Sequence, residues 1–146
     1  MSEPFSYCRK VHYYETDQMG IVHHSNYIRW FEEARVAFFD HLGLSYHAME
    51  QSGIQSPVLE IACQYRGMLR FDDAFAVRVS ILEYTGTRLA LAYQVTGPDG
   101  RLCTTGESRH CFLGSSGRPV SLKKAAPQWH SLFLQRLEEQ AAPEKE

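Results

Sequence analysis

No stretch of this 146-residue sequence stays apolar for the roughly 20 residues that a membrane-spanning helix needs. The opening MSEPFSYCRK has no apolar segment behind a basic start, so it does not read as a secretory signal. Cysteine is sparse, and Cys8, Cys63, Cys103 and Cys111 show neither CxxC pairing nor metal-ligand spacing. They read as reduced residues that pack as small apolar groups, mostly within strand-like segments. Charge of one sign is lacking too. The formal net charge is −2 and the pI about 6.4, which supplies no electrostatic footprint for nucleic acid or for an anionic membrane. Internal repeats and interdomain linkers are absent. The expectation is one cytoplasmic domain over residues 1–141, followed by a disordered tail at 142–146. The remaining composition, 44% apolar and 22% charged, is that of a chain able to bury a sizeable core.

Within that frame the sequence alternates between two periods. Phe5 to Tyr14 is rich in aromatic and β-favouring residues and predicts a first strand. Glu15 to Gly20 is polar and closed by glycine, which is loop chemistry. From Ser25 to Leu42 the apolar residues Tyr27, Phe31, Ala34, Phe38 and Leu42 recur at intervals of three and four, widened by Ile28, Trp30 and Ala37. A helix apolar around most of its circumference is wrapped by something, most simply a sheet. Ser25 or His24 is placed to cap its start and Gly43 to end it. A short helix from Ser45 to Gln51 follows. Strands are expected over Pro57–Leu69, broken near Gly67, and over Ala74–Glu83, Arg88–Thr96 and Leu102–Leu113, joined by Thr85-Gly86 and by the hairpin signal Gly97-Pro98-Asp99-Gly100. Pro127 opens a closing amphipathic helix. Strand, long helix, then four strands on short turns argue for an α+β fold, a five-stranded antiparallel sheet around one central helix.

Chemistry concentrates between Tyr13 and Tyr27. Asp17 sits on a loop just ahead of the long helix, where free backbone N–H groups can polarise a carbonyl oxygen. A carboxylate facing such donors has the two parts that acyl transfer needs. His24 is placed to orient water or a substrate carbonyl. The plainer reading also stands, since acidic residues before helices serve as caps and a Thr-Asp pair often marks only a turn. No metal-ligand spacing links His12, His23 and His24.

The run Tyr13, Thr16, Asp17, Gly20, Val22, His24, Asn26 and Tyr27 resembles the signature of hotdog-fold acyl-CoA thioesterases. The likeness is to the YbgC-type branch, related to 4-hydroxybenzoyl-CoA thioesterase. It continues through Trp30-Phe31-Glu32-Glu33-Ala34-Arg35, Tyr65, Arg70, Asp72-Asp73 and Gly86-Thr87, covering roughly residues 7 to 113. The resemblance implies hydrolysis of an acyl-CoA thioester, with Asp17 as the catalytic carboxylate, His24 and Tyr13 as motif partners, and helix-start N–H groups polarising the carbonyl. It places Gly20, Val22, Ser25 and Asn26 around the substrate. Arg70 and Arg88, with Arg109 as a third, become candidates for the coenzyme A phosphates. It implies no cofactor or metal, coenzyme A being part of the substrate, and a homodimer or a dimer of dimers.

Three departures stand out. His23 replaces an aromatic residue, Glu15 an aspartate, and Gly67-Met68 a proline-bearing stretch. Glu32 and Glu33 rival Asp17, because another hotdog branch uses a helix glutamate; otherwise they form a solvated face paired with Arg29 and Arg35. A hotdog hydratase-dehydratase and a non-catalytic acyl-CoA-binding protein are the alternative functions.

Overall fold

The computed structural model describes residues 4–142, so all of the expected tail but Ala142 lies outside the described residues. Strand β1 (Phe5–Lys10) leads through a 3-10 turn at Tyr13–Glu15 into helix α1 (Ser25–Leu42) and a short α2 (Tyr46–Gln51). Strands β2 (Val58–Tyr65), β3 (Ala74–Tyr84), β4 (Arg88–Thr96) and β5 (Leu102–Cys111) follow, then α3 (Leu122–Ala125) and α4 (Pro127–Ala141). The five strands form one antiparallel sheet in the order β1-β3-β4-β5-β2. This is the hotdog arrangement.

Two strands end earlier than their residue types predict, because their partners run out. The β1–β3 ladder closes at Lys10 opposite Ala74, so the chain turns at Val11 and the aromatic run Tyr13-Tyr14 leaves the sheet. At the end of β2, the N–H groups of Arg66 and Gly67 both donate to the Cys103 carbonyl, at 2.8 and 2.9 Å, which ends the ladder at Tyr65.

Helix α1 lies against the sheet along its whole apolar face. Phe38 meets Phe5 of β1, Trp30 stacks on Phe75 of β3 with ring centroids 4.0 Å apart, and Phe31 stacks on Tyr93 of β4 at 4.4 Å. Tyr27 meets Tyr65 of β2. Aromatic stacking adds to the gain from burying each ring. Over β5 the helix comes so close that only glycine fits: a Cβ on Gly106 would stand 2.4 Å from the Phe31 ring. Gly43 ends α1 in the left-handed conformation, φ 91°, as glycine allows.

Helix α4 closes the far edge. Phe133 packs among Phe39, Tyr84 and Phe112, and the Gln140 side-chain amide both donates to and accepts from the backbone of Ile81, each at 2.9 Å. Among the described residues no helix is long and apolar enough to cross a membrane.

Candidate active site

The segment between β1 and α1 folds back on itself. Thr16 and Val22 form an isolated antiparallel bridge, the Asp17 N–H donates to the Ile21 carbonyl at 2.8 Å, and the Gly20 N–H donates to the Asp17 carbonyl at 2.9 Å. Gly20 adopts φ 79°, which this tight turn requires and side chains resist. Inside the turn Asp17 Oδ1 accepts the Met19 N–H at 2.8 Å, an Asx-type bond that orients the carboxylate. Asp17 is half-buried, and its Oδ2 meets no donor among the described residues. The buried Val22 ties the turn to the β2–β3 connection, donating its N–H to the Leu69 carbonyl.

At the start of α1 the capping differs from expectation. His24 occupies the cap position without a side-chain cap bond. His23 does the capping instead: its Nδ1 lies 3.2 Å from the Ser25 N–H and 2.8 Å from the Ser25 hydroxyl. Because a backbone N–H can only donate, Nδ1 is the accepting nitrogen. The Asn26 N–H donates to the His23 carbonyl at 3.0 Å. The first helical donors are thus taken, whereas the His24 N–H meets no acceptor among the described residues. His24 is itself held from the other side, its carbonyl accepting the Tyr65 hydroxyl at 3.0 Å and its exposed ring stacked on His23 at 4.2 Å.

Beneath the turn lies Glu15, 3% exposed. Its Oε1 accepts from Arg9 Nη1 and the His12 N–H at 2.9 and 2.8 Å, and its Oε2 from Arg9 Nη2 and Trp30 Nε1 at 2.7 Å each. Burial works to raise its pKa, yet these donors outweigh it and hold the carboxyl down at about 2. The Arg9 guanidinium lies over the rings of Trp30 and Phe75 and also reaches Glu33 at 2.9 Å. The Glu15 carbonyl accepts the His23 N–H at 2.9 Å and the Asn26 side-chain amide at 2.8 Å. Asn26 is buried, so its amide serves the loop.

The other expected residues divide. Arg70 stands beside the turn, its Nη1 3.4 Å from the Gly20 carbonyl. Tyr13 is 76% exposed, its ring edge against Phe71. Arg88 is the first residue of β4, at the end of the sheet opposite the Asp17 loop, where it lines a groove of about 430 Å³ with Leu59, Leu89 and Arg109. Arg109 is ringed by Glu60, Glu83 and Glu107 at 3.3 to 3.8 Å, which offset its charge. Glu33 does not pair with Arg29 or Arg35; it accepts from Arg9 and the Tyr7 hydroxyl. Glu32 is exposed. All four cysteines are free, and among the described residues no group of three or more His, Cys, Asp and Glu could hold a metal ion. Residues that sequence reasoning missed are Glu15, Arg9, Trp30 and His23 in its capping role. Only the oppositely charged pair Arg9 and Glu15 hinted at them, and spacing alone does not single it out.

A family model described as the thioesterase-like superfamily matches residues 11–137. The chain belongs to that superfamily. A Bacillus subtilis (strain 168) relative, YneP, provisionally named an acyl-CoA thioesterase, is 38% identical over 125 residues, covering 85% of this chain and 91% of that protein. The acyl-CoA thioester hydrolase YbgC of Escherichia coli O157:H7 is 26% identical over 98 residues, 67% of this chain and 73% of its own. Among solved structures, a DHNA-CoA thioesterase from Staphylococcus aureus superposes with a TM-score of 0.89 at 30% identity, covering 95% of each chain.

Proposed function

We propose that this protein hydrolyses acyl-CoA thioesters to a free carboxylic acid and coenzyme A. The net change puts the hydroxyl of water on the acyl carbon and its proton on the thiolate as the C–S bond breaks. Asp17 is the carboxylate that drives it: either it draws the proton from the water that attacks the thioester carbonyl, or it attacks that carbonyl itself, expelling the thiolate to leave a mixed anhydride that water then cleaves to the acid and free Asp17. The oxyanion that develops is met by the His24 N–H. The observation that carries this reading is that free donor. Its neighbours Ser25 and Asn26 spend their N–H groups on His23, while His24 keeps its own unspent at the helix start beside the Asp17 turn. No metal or redox cofactor is assigned a part. Arg70, next to the turn, is the candidate within the same chain for a coenzyme A phosphate. The named activities of the relatives support the substrate class, and the DHNA-CoA relative recommends hydroxyaryl-CoA compounds beside aliphatic ones.

Free-thiol release from a panel of acyl-CoAs, measured side by side on wild type and Asp17→Asn, tests the proposal. The expected result is turnover that nearly disappears in the variant while folding is retained. A variant keeping more than about a tenth of kcat/KM, a loss under ~1.4 kcal/mol of transition-state stabilisation, overturns the role of Asp17. Wild-type silence across the panel, with enoyl-CoA hydration or tight acyl-CoA binding in its place, replaces the hydrolase reading.

A further inference from the structure

Four N–H groups converge on the two oxygens of Glu15, and no hydroxyl or water is needed to satisfy them. The donors come from three places: Arg9 on β1, His12 at the 3-10 turn and Trp30 on α1. Its carbonyl then takes two more, from His23 at the far end of the Asp17 turn and from the Asn26 amide on α1. One residue therefore joins strand, turn and helix start, two positions before Asp17. Thr16, the single residue between, has its N–H and hydroxyl on the Tyr13 carbonyl at 3.2 and 2.8 Å, leaving little freedom for Asp17 to move independently.

Building on the thioesterase reading, we propose that Glu15 is a positioning residue, whose carboxylate clamp on Arg9 and Trp30 sets where Asp17 stands relative to the His24 N–H. The clamp requires a carboxylate. Every group facing Glu15 is a donor, so an amide in its place would turn its NH₂ against two N–H groups whichever way it was flipped. An aspartate, one methylene shorter, would not reach all four donors from the same backbone position. Arg9 is a shared member: packed over Trp30 and Phe75 and bonded also to Glu33, it cannot follow a displaced carboxylate. Burial makes the arrangement tight, since displacing Arg9 would leave the 3%-exposed Glu15 carboxylate without its ion partner. Catalysis is sensitive at this point because the reacting carboxylate and the oxyanion donor must stay in register to a fraction of an ångström.

The test uses Glu15→Gln, which reverses donor polarity, and Trp30→Phe, which removes one donor while keeping an aromatic ring against Phe75. Each is assayed for kcat and KM well below its own melting temperature. Amide hydrogen exchange over residues 16–24 is measured in parallel. The expected result is a kcat lowered about tenfold or more in Glu15→Gln and several-fold in Trp30→Phe, with KM nearly unchanged. Exchange over 16–24 should quicken at least tenfold while β3 to β5 exchange as in wild type. A folded Trp30→Phe protein with wild-type kcat and wild-type exchange at 16–24 overturns the proposal, even where Asp17→Asn is inactive. Because exchange needs no turnover, a wild type that releases no thiol from any acyl-CoA ends the hydrolase reading yet still leaves the clamp decided by the exchange result.

Discussion

His110 is buried on the helix side of β5, and its Nε2 lies 2.7 Å from the Ser108 hydroxyl. That hydroxyl meets Tyr93, and the Tyr93 oxygen accepts from Arg35 at 3.1 Å, so a polar chain of four residues runs under the sheet. Burial first, and the Arg35 charge second, push the His110 pKa down to about 4. An imidazole depressed in the folded state is charged more readily when unfolded. Its contribution to stability is therefore complete above about pH 6.5 and is lost as pH falls from there toward 4. Glu15 acts lower down: its contribution is complete above its ordinary value near 4.5 and is lost as pH falls through about 2. Urea unfolding should show wild-type stability falling by about 2 kcal/mol between about pH 7 and 5, from His110 alone. His110→Gln should flatten that limb, and an unchanged slope would contradict the assignment. At this scale the sequence was partly legible. The loop that carries Asp17 ahead of α1 was visible because its neighbours form a recognisable run. Glu15 was not, because its meaning lies in Arg9 and Trp30, which only the packing of β1 on α1 brings together. His23 hid for a similar reason, since a capping imidazole leaves no pattern in spacing.

Among elements, α1 shows what periodicity predicts and what it cannot. Its apolar recurrence announced a helix covered by a sheet, and its bounds, Ser25 to Leu42, agree with the pattern because Gly43 stops it. The strand ends were misjudged where residue type and pairing disagree. Tyr13 and Tyr14 favour strand, yet no strand lies opposite them once β3 begins at Ala74. The closeness of α1 to β5 was equally hidden, since Gly106 reads in sequence as a weak point in a strand. In the fold it is the opening for Phe31. Gly106→Ala places a methyl 2.4 Å from that ring and 2.8 Å from the Ala62 carbonyl, so helix or strand must shift. Thermal unfolding should register about 3 kcal/mol of lost stability, the upper end for forced overpacking. A loss under about 0.5 kcal/mol, the level of an ordinary surface change, would show that the helix stands farther off.

For the molecule as a whole, the unfinished part is the β2 edge. No residue of β2 is buried, and Val58, Leu59 and Tyr65 are 43%, 51% and 49% exposed. An apolar edge strand with no lysine or proline to blunt it needs a cover. We expect a second copy, its own β2 running antiparallel to this one, in a twofold dimer. Tyr65 marks the Asp17 end of β2, through its bond to His24, and Val58 marks the end nearest Arg88. Antiparallel pairing would lay the partner's Arg88 on the Asp17 side, which makes sense of an arginine that stands far from Asp17 within one chain. Mixing decides this. Asp17→Asn and Arg88→Ala chains, each impaired alone, are unfolded together and refolded as dimers. If each site takes Asp17 from one chain and Arg88 from the other, a mixed dimer has one site with both defects and one with none. Random pairing then restores about a quarter of wild-type activity. If both residues serve the site of their own chain, every site in the mixture carries one defect and the activity stays at the mean of the two parents.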